Sequence, residues 1–259
     1  MKHIVFLNGR LGYRDLPKVA STSIKAAIYQ LEEGEAFCHK KLGMHVHTYM
    51  RRNKRGEISA CEKTFVVVRD PIERVLSAYK NRVLFHQELS EAFVRENFAH
   101  HYWDIPYFTP GLGQFIEHFD DYLLIRPIFH HCRPMVDFFE GRNLEDYTHV
   151  YKMEELGRLA KDLSSLTGEA VEFERRQTGG KKYSVRDLTK SQLEKLVDYY
   201  AKDYELLAEH YTVDEVWSKW RGVEHSPEVP RPAEKTQSLL GRLQAKVRAG
   251  VSRRGPHRS

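Results

Sequence analysis

The stretch KTFVVVRDPIERVLSAY, residues 63–79, limits what this chain can fold into more than any other. Phe65, Val66, Val67 and Val68 follow one another without the polar alternation of a half-exposed strand, so they predict a strand covered on both faces. A helix begins at once. Asp70 has the side chain of an N-cap, Pro71 suits the first helical position, and Glu73 is placed to complete a capping box. Ile72, Val75, Leu76 and Tyr79 then form its apolar stripe. A doubly covered strand feeding directly into a helix belongs to a layered sheet, and Arg69 stands at the strand end, where such sheets present their ligand contacts.

The rest of the chain repeats the alternation. Residues 3–7 and the approach to Pro17 read as strand, 21–32 as helix, 115–123 as helix, 149–153 as strand and 154–166 as helix. A long helix starts at Thr189, with Gln192 as its box partner. The expected fold class is α/β, a central parallel sheet flanked by helices. A hydrophobic content of 41% over 259 residues is ample for one core. The expected domain is 1–221. Residues 222–259 hold eight Lys/Arg against three Glu, the whole of the chain's net charge of +5, in a Pro-, Gly- and Ser-rich context that predicts a basic, disordered tail rather than a nucleic-acid arm. Cys38, Cys61 and Cys132 lack the spacing of a disulfide framework or a zinc site, so no metal is expected. No apolar run is long enough for a membrane span, and the N-terminal residues do not read as a signal peptide, which leads to the expectation of a cytoplasmic protein.

The segment DLPKVASTSIKAAI, residues 15–28, raises a second question. Ile24, Ala27, Ile28 and Leu31 mark a helix face, so Ser21, Thr22 and Ser23 fall at a helix N-terminus. Unpaired backbone N–H groups and the positive end of the macrodipole make that position an anion site as well as a cap. A nucleoside-triphosphate loop would place its lysine immediately before the hydroxyl. Here Lys18 precedes Ser21 by three residues, and Ala20 stands where a glycine is usual.

The ordered pair formed by PKVASTSIK (17–25) and VVRDPIERVLSAY (67–79) resembles the two nucleotide elements of the family-2 (carbohydrate) sulfotransferases. The resemblance implies a P-loop-like fold binding 3′-phosphoadenosine 5′-phosphosulfate, with no metal. The first loop, Lys18, Val19, Ala20, Ser21, Thr22 and Ser23, would hold the 5′-phosphosulfate, and Arg69 and Ser77 the 3′-phosphate. A late loop, TGGKKYSVRDLT (178–189), is similar to the family's closing loop and adds Lys181 and Lys182. The H-x-H of His45 and His47 resembles the uronyl 2-O-sulfotransferase branch.

Sulfuryl transfer is in-line displacement between oxygens, so catalysis is positioning, leaving-group stabilisation and proton removal. Lys18 is the expected leaving-group stabiliser. Histidine suits proton removal near neutrality. In an extended or loop backbone His45 and His47 would project to one side; His47 is the expected base and His45 the acceptor-orienting group, with His131 the runner-up. Arg74, four residues after Asp70, is expected to pair with it along the helix. The acceptor is expected to be a carbohydrate or glycolipid, served by Arg51, Arg52, Lys54 and Arg55 and by the aromatics of 85–107 and 129–139. Two other classes stand beside this reading: a non-catalytic nucleotide-binding module, which needs no base, and a kinase with a degenerate loop, which needs Mg²⁺ and a carboxylate at a strand end.

Overall fold

The computed structural model describes residues 3–173 and 181–222. Residues 178–180 of the late loop and residues 223–259 of the expected tail lie outside the described residues. Five strands, β1 (His3–Phe6), β2 (Leu11–Arg14), β3 (Arg55–Gly56), β4 (Lys63–Val68) and β5 (His149–Lys152), form one sheet in the order β3-β1-β2-β4-β5. Twelve α-helices flank it among the described residues: α1 (Ser21–Glu33), α2 (His39–Leu42), α3 (Val46–Asn53), α4 (Pro71–Ala78), α5 (Glu91–Asn97), α6 (Leu112–Glu117), α7 (Phe119–Tyr122), α8 (Arg126–Cys132), α9 (Leu156–Thr167), α10 (Lys190–Tyr199), α11 (Ala201–Leu206) and α12 (Val213–Arg221).

The sheet is parallel only in part. β2, β4 and β5 run parallel, with Tyr13 beside Phe65 and Val66 beside Val150. β1 is antiparallel to β2, and β3 to β1. The cause is local: Asn8 and Gly9 have φ of 56° and 87°, and Arg10 N donates to Leu7 O at 3.1 Å. That is the geometry of a tight primed hairpin turn, which sends the chain straight back and leaves no room for the crossover a parallel neighbour requires.

β4 meets its expectation. Val66, Val67 and Val68 are fully buried, and since successive side chains point to opposite faces, both faces of the strand are covered. Phe65 stacks on Tyr13 at 4.9 Å between ring centroids and meets Tyr151 edge-on at 6.2 Å. Asp70 Oδ1 caps α4 by accepting from the N–H groups of Ile72 and Glu73, at 2.9 and 3.0 Å. Glu73 does not close the expected box; its carboxylate is 3.8 Å from Arg69. The Thr189–Gln192 box at the start of α10 is present, with both hydrogen bonds formed. The helix it begins is interrupted at Tyr200, and the helix expected over 115–123 is interrupted at His118.

Arg74 corrects another expectation. It is fully buried and turned away from Asp70; Nη1 donates to His131 O at 3.1 Å, Nη2 donates to Arg133 O, and Nη2 lies 3.9 Å from Asp203. Asp203 in turn accepts from the N–H groups of Met135 and Val136. The i, i+4 spacing to Asp70 loses because Asp70 spends its oxygens on the cap and on Tyr204, while the C-terminal carbonyls of α8 offer a guanidinium the partners a buried charge requires.

After α4 the chain does not straighten into a loop. Residues Tyr79–Phe85 form a π-helical turn, in which His86 N donates to Asn81 O at 3.0 Å. This wider turn carries Lys80, Asn81 and Arg82 toward the sheet's ligand-facing end.

Candidate active site

The loop between β2 and α1 is fixed by three buried side chains, Leu16, Pro17 and Val19. Between and beyond them Lys18 and Ala20 adopt left-handed backbone, with φ of 68° and 58°. Left-handed geometry in non-glycine residues costs about 1–2 kcal/mol each and persists where the surroundings hold it. Arg69 supplies one restraint, donating from Nη1 to Lys18 O at 3.2 Å, so the end of β4 is tied to the loop. Ala20 is the N-cap residue of α1 and offers no side-chain cap. The hydroxyls of Ser21, Thr22 and Ser23 therefore occupy the first helical turn, whose N–H groups receive no cap from the Ala20 side chain and sit at the positive end of the helix, as an anion site requires. Burial, then Arg82 and Arg69, push the Lys18 ammonium down to about 7.

The expected histidine pair is brought together, by a different route from the extended backbone expected. His45 is the N-cap of α3, and His47 lies in its first turn. Their rings stack at 4.8 Å with planes 3° apart. His47 Nε2 is 3.1 Å from Thr22 Oγ1, and His47 Nδ1 is 2.5 Å from Lys25 Nζ. Lys25 is buried and forms an ion pair with Asp15 at 2.5 Å. Burial, followed by the charge of Lys25, drives the His47 imidazole down to about 3, so it is neutral through the ordinary pH range. His131 is driven down to about 2, first by burial and next by Arg82, and its Nδ1 is buried without a hydrogen bond among the described residues.

These groups line one cleft of about 1590 Å³. Lys18, Ala20, Ser21, Thr22, Ser23, Arg69, Ser77, Lys182, His45, His47 and His131 all face it. Val19 does not; its side chain is core, leaving only its backbone for a ligand. Lys181 is exposed, pairs with Asp187 at 3.2 Å and sits over the Tyr183 ring. Of the basic run 51–55, Arg51 and Arg55 line the cleft, whereas Lys54 pairs with Glu32 and Glu33. The aromatics divide: Phe138 lines the cleft, Phe139 is core, and Phe85 and Trp103 are exposed at 74% and 91%.

Several cleft residues escaped the sequence reading, among them the cations Arg14, Lys25 and Arg82. Arg14 comes from β2, Lys25 from α1 and Arg82 from the π-helical turn. Arg82 bonds Glu88 at 2.9 Å, and its Nε is buried without a partner among the described residues. Its charge lowers Lys18, His47 and His131 alike, all of which line the same cleft. Lys25 was visible as a charged residue on a helix whose neighbours are apolar, which is the one signal that singles it out.

Among the described residues no helix is long and apolar enough to cross a membrane, and no three His, Cys, Asp or Glu side chains gather as a metal would need. A family model described as the sulfotransferase family matches residues 4–211. No curated protein and no solved structure matches the chain.

Proposed function

The chain belongs to the sulfotransferase family, and from that membership we propose that it transfers the sulfuryl group of 3′-phosphoadenosine 5′-phosphosulfate to a hydroxyl of a carbohydrate or glycolipid acceptor. The donor set fits that nucleotide: an uncapped helix N-terminus, the Lys18 ammonium and the Arg69 guanidinium lie within one loop-to-strand junction of a large cleft. The bound nucleotide supplies an activated sulfuryl group on a phosphate that departs as an anion.

Lys18 and the first-turn N–H groups of α1 neutralise the oxygen that becomes anionic. Arg69 and Ser77 hold the second phosphate, with Lys182, and with Lys181 when it leaves Asp187. His47 removes the acceptor's hydroxyl proton at Nε2, and His45, stacked on it, orients the acceptor. Arg14, Arg51 and Arg55 make the far side of the cleft basic, which favours an acidic sugar and so the uronyl 2-O branch.

The observation that carries this reading is Lys18: a half-buried cation pushed to about 7, in left-handed backbone, at the mouth of an uncapped helix. Incubation with radiolabelled phosphosulfate donor and a panel of glycans tests it. Transfer to a sugar hydroxyl is the expected result; tight nucleotide binding without transfer to any acceptor would favour the non-catalytic module.

A further inference from the structure

The contacts of His47 contain a constraint that a lone histidine would not have. An ammonium has hydrogens to give and no lone pair to receive one. Lys25 Nζ, 2.5 Å from Asp15 Oδ2, is an ammonium in an ion pair, and the same nitrogen lies 2.5 Å from His47 Nδ1. Nδ1 is therefore the acceptor in that contact, and in a neutral imidazole the proton must sit on the other nitrogen. Nε2–H then donates to Thr22 Oγ1 at 3.1 Å. The nitrogen assigned above to remove the acceptor's proton is already protonated.

We propose that Lys25, anchored by Asp15, is a positioning residue that decides which nitrogen of His47 carries the proton, and that Nε2 gains a free lone pair only when the Lys25–His47 pair has given up one proton. With Lys25 as a neutral amine, Nδ1–H donates to Nζ and Nε2 faces the cleft unprotonated. When the acceptor hydroxyl is then deprotonated, its O–H bond breaks and an Nε2–H bond forms. The Nδ1 proton passes to Nζ, the sulfuryl sulfur bonds to the acceptor oxygen, and the bond to the leaving phosphate oxygen breaks. The pair ends as it began, with Lys25 charged and His47 neutral, so the proton is finally held by an amine rather than by a buried imidazole.

The remaining groups facing His47 are His45 on its own helix, Arg82 on the π-helical turn and His130 on α8; none of them is a carboxylate. They oppose an imidazolium and leave the choice of tautomer to Lys25. Burial lowers the Lys25 ammonium, Asp15 works against that, and the charge of Arg55 lowers it further, so these three set the pH at which the pair releases its proton.

The catalytic half of this inference rests on the proposed function; the tautomer half does not. Nitrogen NMR on the full chain, labelled at histidine, reads the tautomer directly, with His47→Gln used to assign the signal. The expected spectrum near neutral pH shows His47 with protonated Nε2 and bare Nδ1, in about tenfold or greater excess over the other tautomer. Lys25→Met should collapse that excess, and Lys25→Arg should restore it. Asp15→Asn, at a half-exposed residue, should shift the tautomer change to lower pH without unfolding the chain. Protonated Nδ1 in the unaltered protein, or an unchanged tautomer in Lys25→Met, overturns the proposal. In transfer assays the rising alkaline limb of the pH–rate profile should move to lower pH in Asp15→Asn. If the tautomer obeys Lys25 while that limb stays in place, the Lys25 assignment stands and His47 is removed from the role of base.

Discussion

Binding of a phosphate-bearing nucleotide should draw a proton onto Lys18. In the free protein this ammonium is held at about 7 by burial and by the neighbouring charges of Arg82 and Arg69. A bound polyanion opposes all three causes and returns the group toward the ordinary lysine range, near pH 10.4. Affinity should therefore fall as pH rises above about 7, by nearly tenfold per unit once the free enzyme's lysine is mostly neutral. Between pH about 7 and pH about 9 the protonated fraction of free Lys18 drops from about one half to about one hundredth. Affinity then falls about 50-fold, equivalent to about 2.3 kcal/mol. A phosphate monoester, with a second pKa of about 6, is nearly fully ionised over this range, so its own titration adds little to the slope. The assay is calorimetry of adenosine 3′,5′-bisphosphate at pH about 8.5, in buffers of different ionisation enthalpy, where close to one proton should enter per nucleotide bound. Lys18→Arg keeps a permanent charge and should abolish both the uptake and the slope. Absence of uptake in the unaltered chain, or the same uptake in Lys18→Arg, would refute the assignment of Lys18 to the phosphate site.

Arg69→Ala should weaken nucleotide binding by about 1.5–3 kcal/mol, measured by calorimetry with thermal unfolding as a control. Unchanged affinity would take Arg69 out of the site and leave only its bond to the Lys18 carbonyl. His47→Gln should keep nucleotide affinity yet cut single-turnover transfer by about 10²–10⁴-fold, and the reverse pattern, with His131→Gln the inactive variant, would move the base to α8. Both imidazoles titrate well below their unfolded value, His47 at about 3 and His131 at about 2. Below pH about 6.5 the unfolded chain therefore binds protons that the folded chain refuses. Stability should fall with decreasing pH by about 1.4 kcal/mol per unit for each, down to about 3 for His47, and urea titrations of the single His→Gln variants should show that slope reduced. Asp203→Ala leaves Arg74 buried without its ion-pair partner and should cost about 3–5 kcal/mol in urea unfolding; a loss under 1 kcal/mol would mean the carbonyls of α8 suffice.

The parts of this fold that were legible in the sequence are those settled within a few residues. β4 and α4 follow from an unbroken apolar run and from Asp70-Pro71, whose cap and first-turn roles need no information from elsewhere. The left-handed backbone at Ala20 was foreshadowed by its standing where glycine is usual. The antiparallel half of the sheet was also written locally, in Asn8-Gly9, but the parallel expectation drawn from β4 obscured it. What resisted reading depends on tertiary approach. Arg74 and Asp70 have the spacing of a helix pair, yet α8 and Asp203 capture the guanidinium. Lys25 and His47 are 22 residues apart and meet only because α3 packs on α1. Arg82 follows no 3.6-residue rule, because the turn carrying it is not α-helical.

That π-helical turn gives the protein an unusual freedom under insertion and deletion. A π-turn holds one residue more than the α-turn it replaces, so removing a single residue between Tyr79 and Phe85 would restore ordinary helix. Everything before the turn, including Arg69 and Ser77, would keep its place. Because a π-turn absorbs its extra residue locally, the chain after it would keep its register as well, and only the turn's own side chains, Lys80, Asn81 and Arg82, would be re-aimed. The charge that Arg82 brings to the cleft is thus set within a single turn, and one codon there can withdraw it while the helix before and the chain after stay where they are.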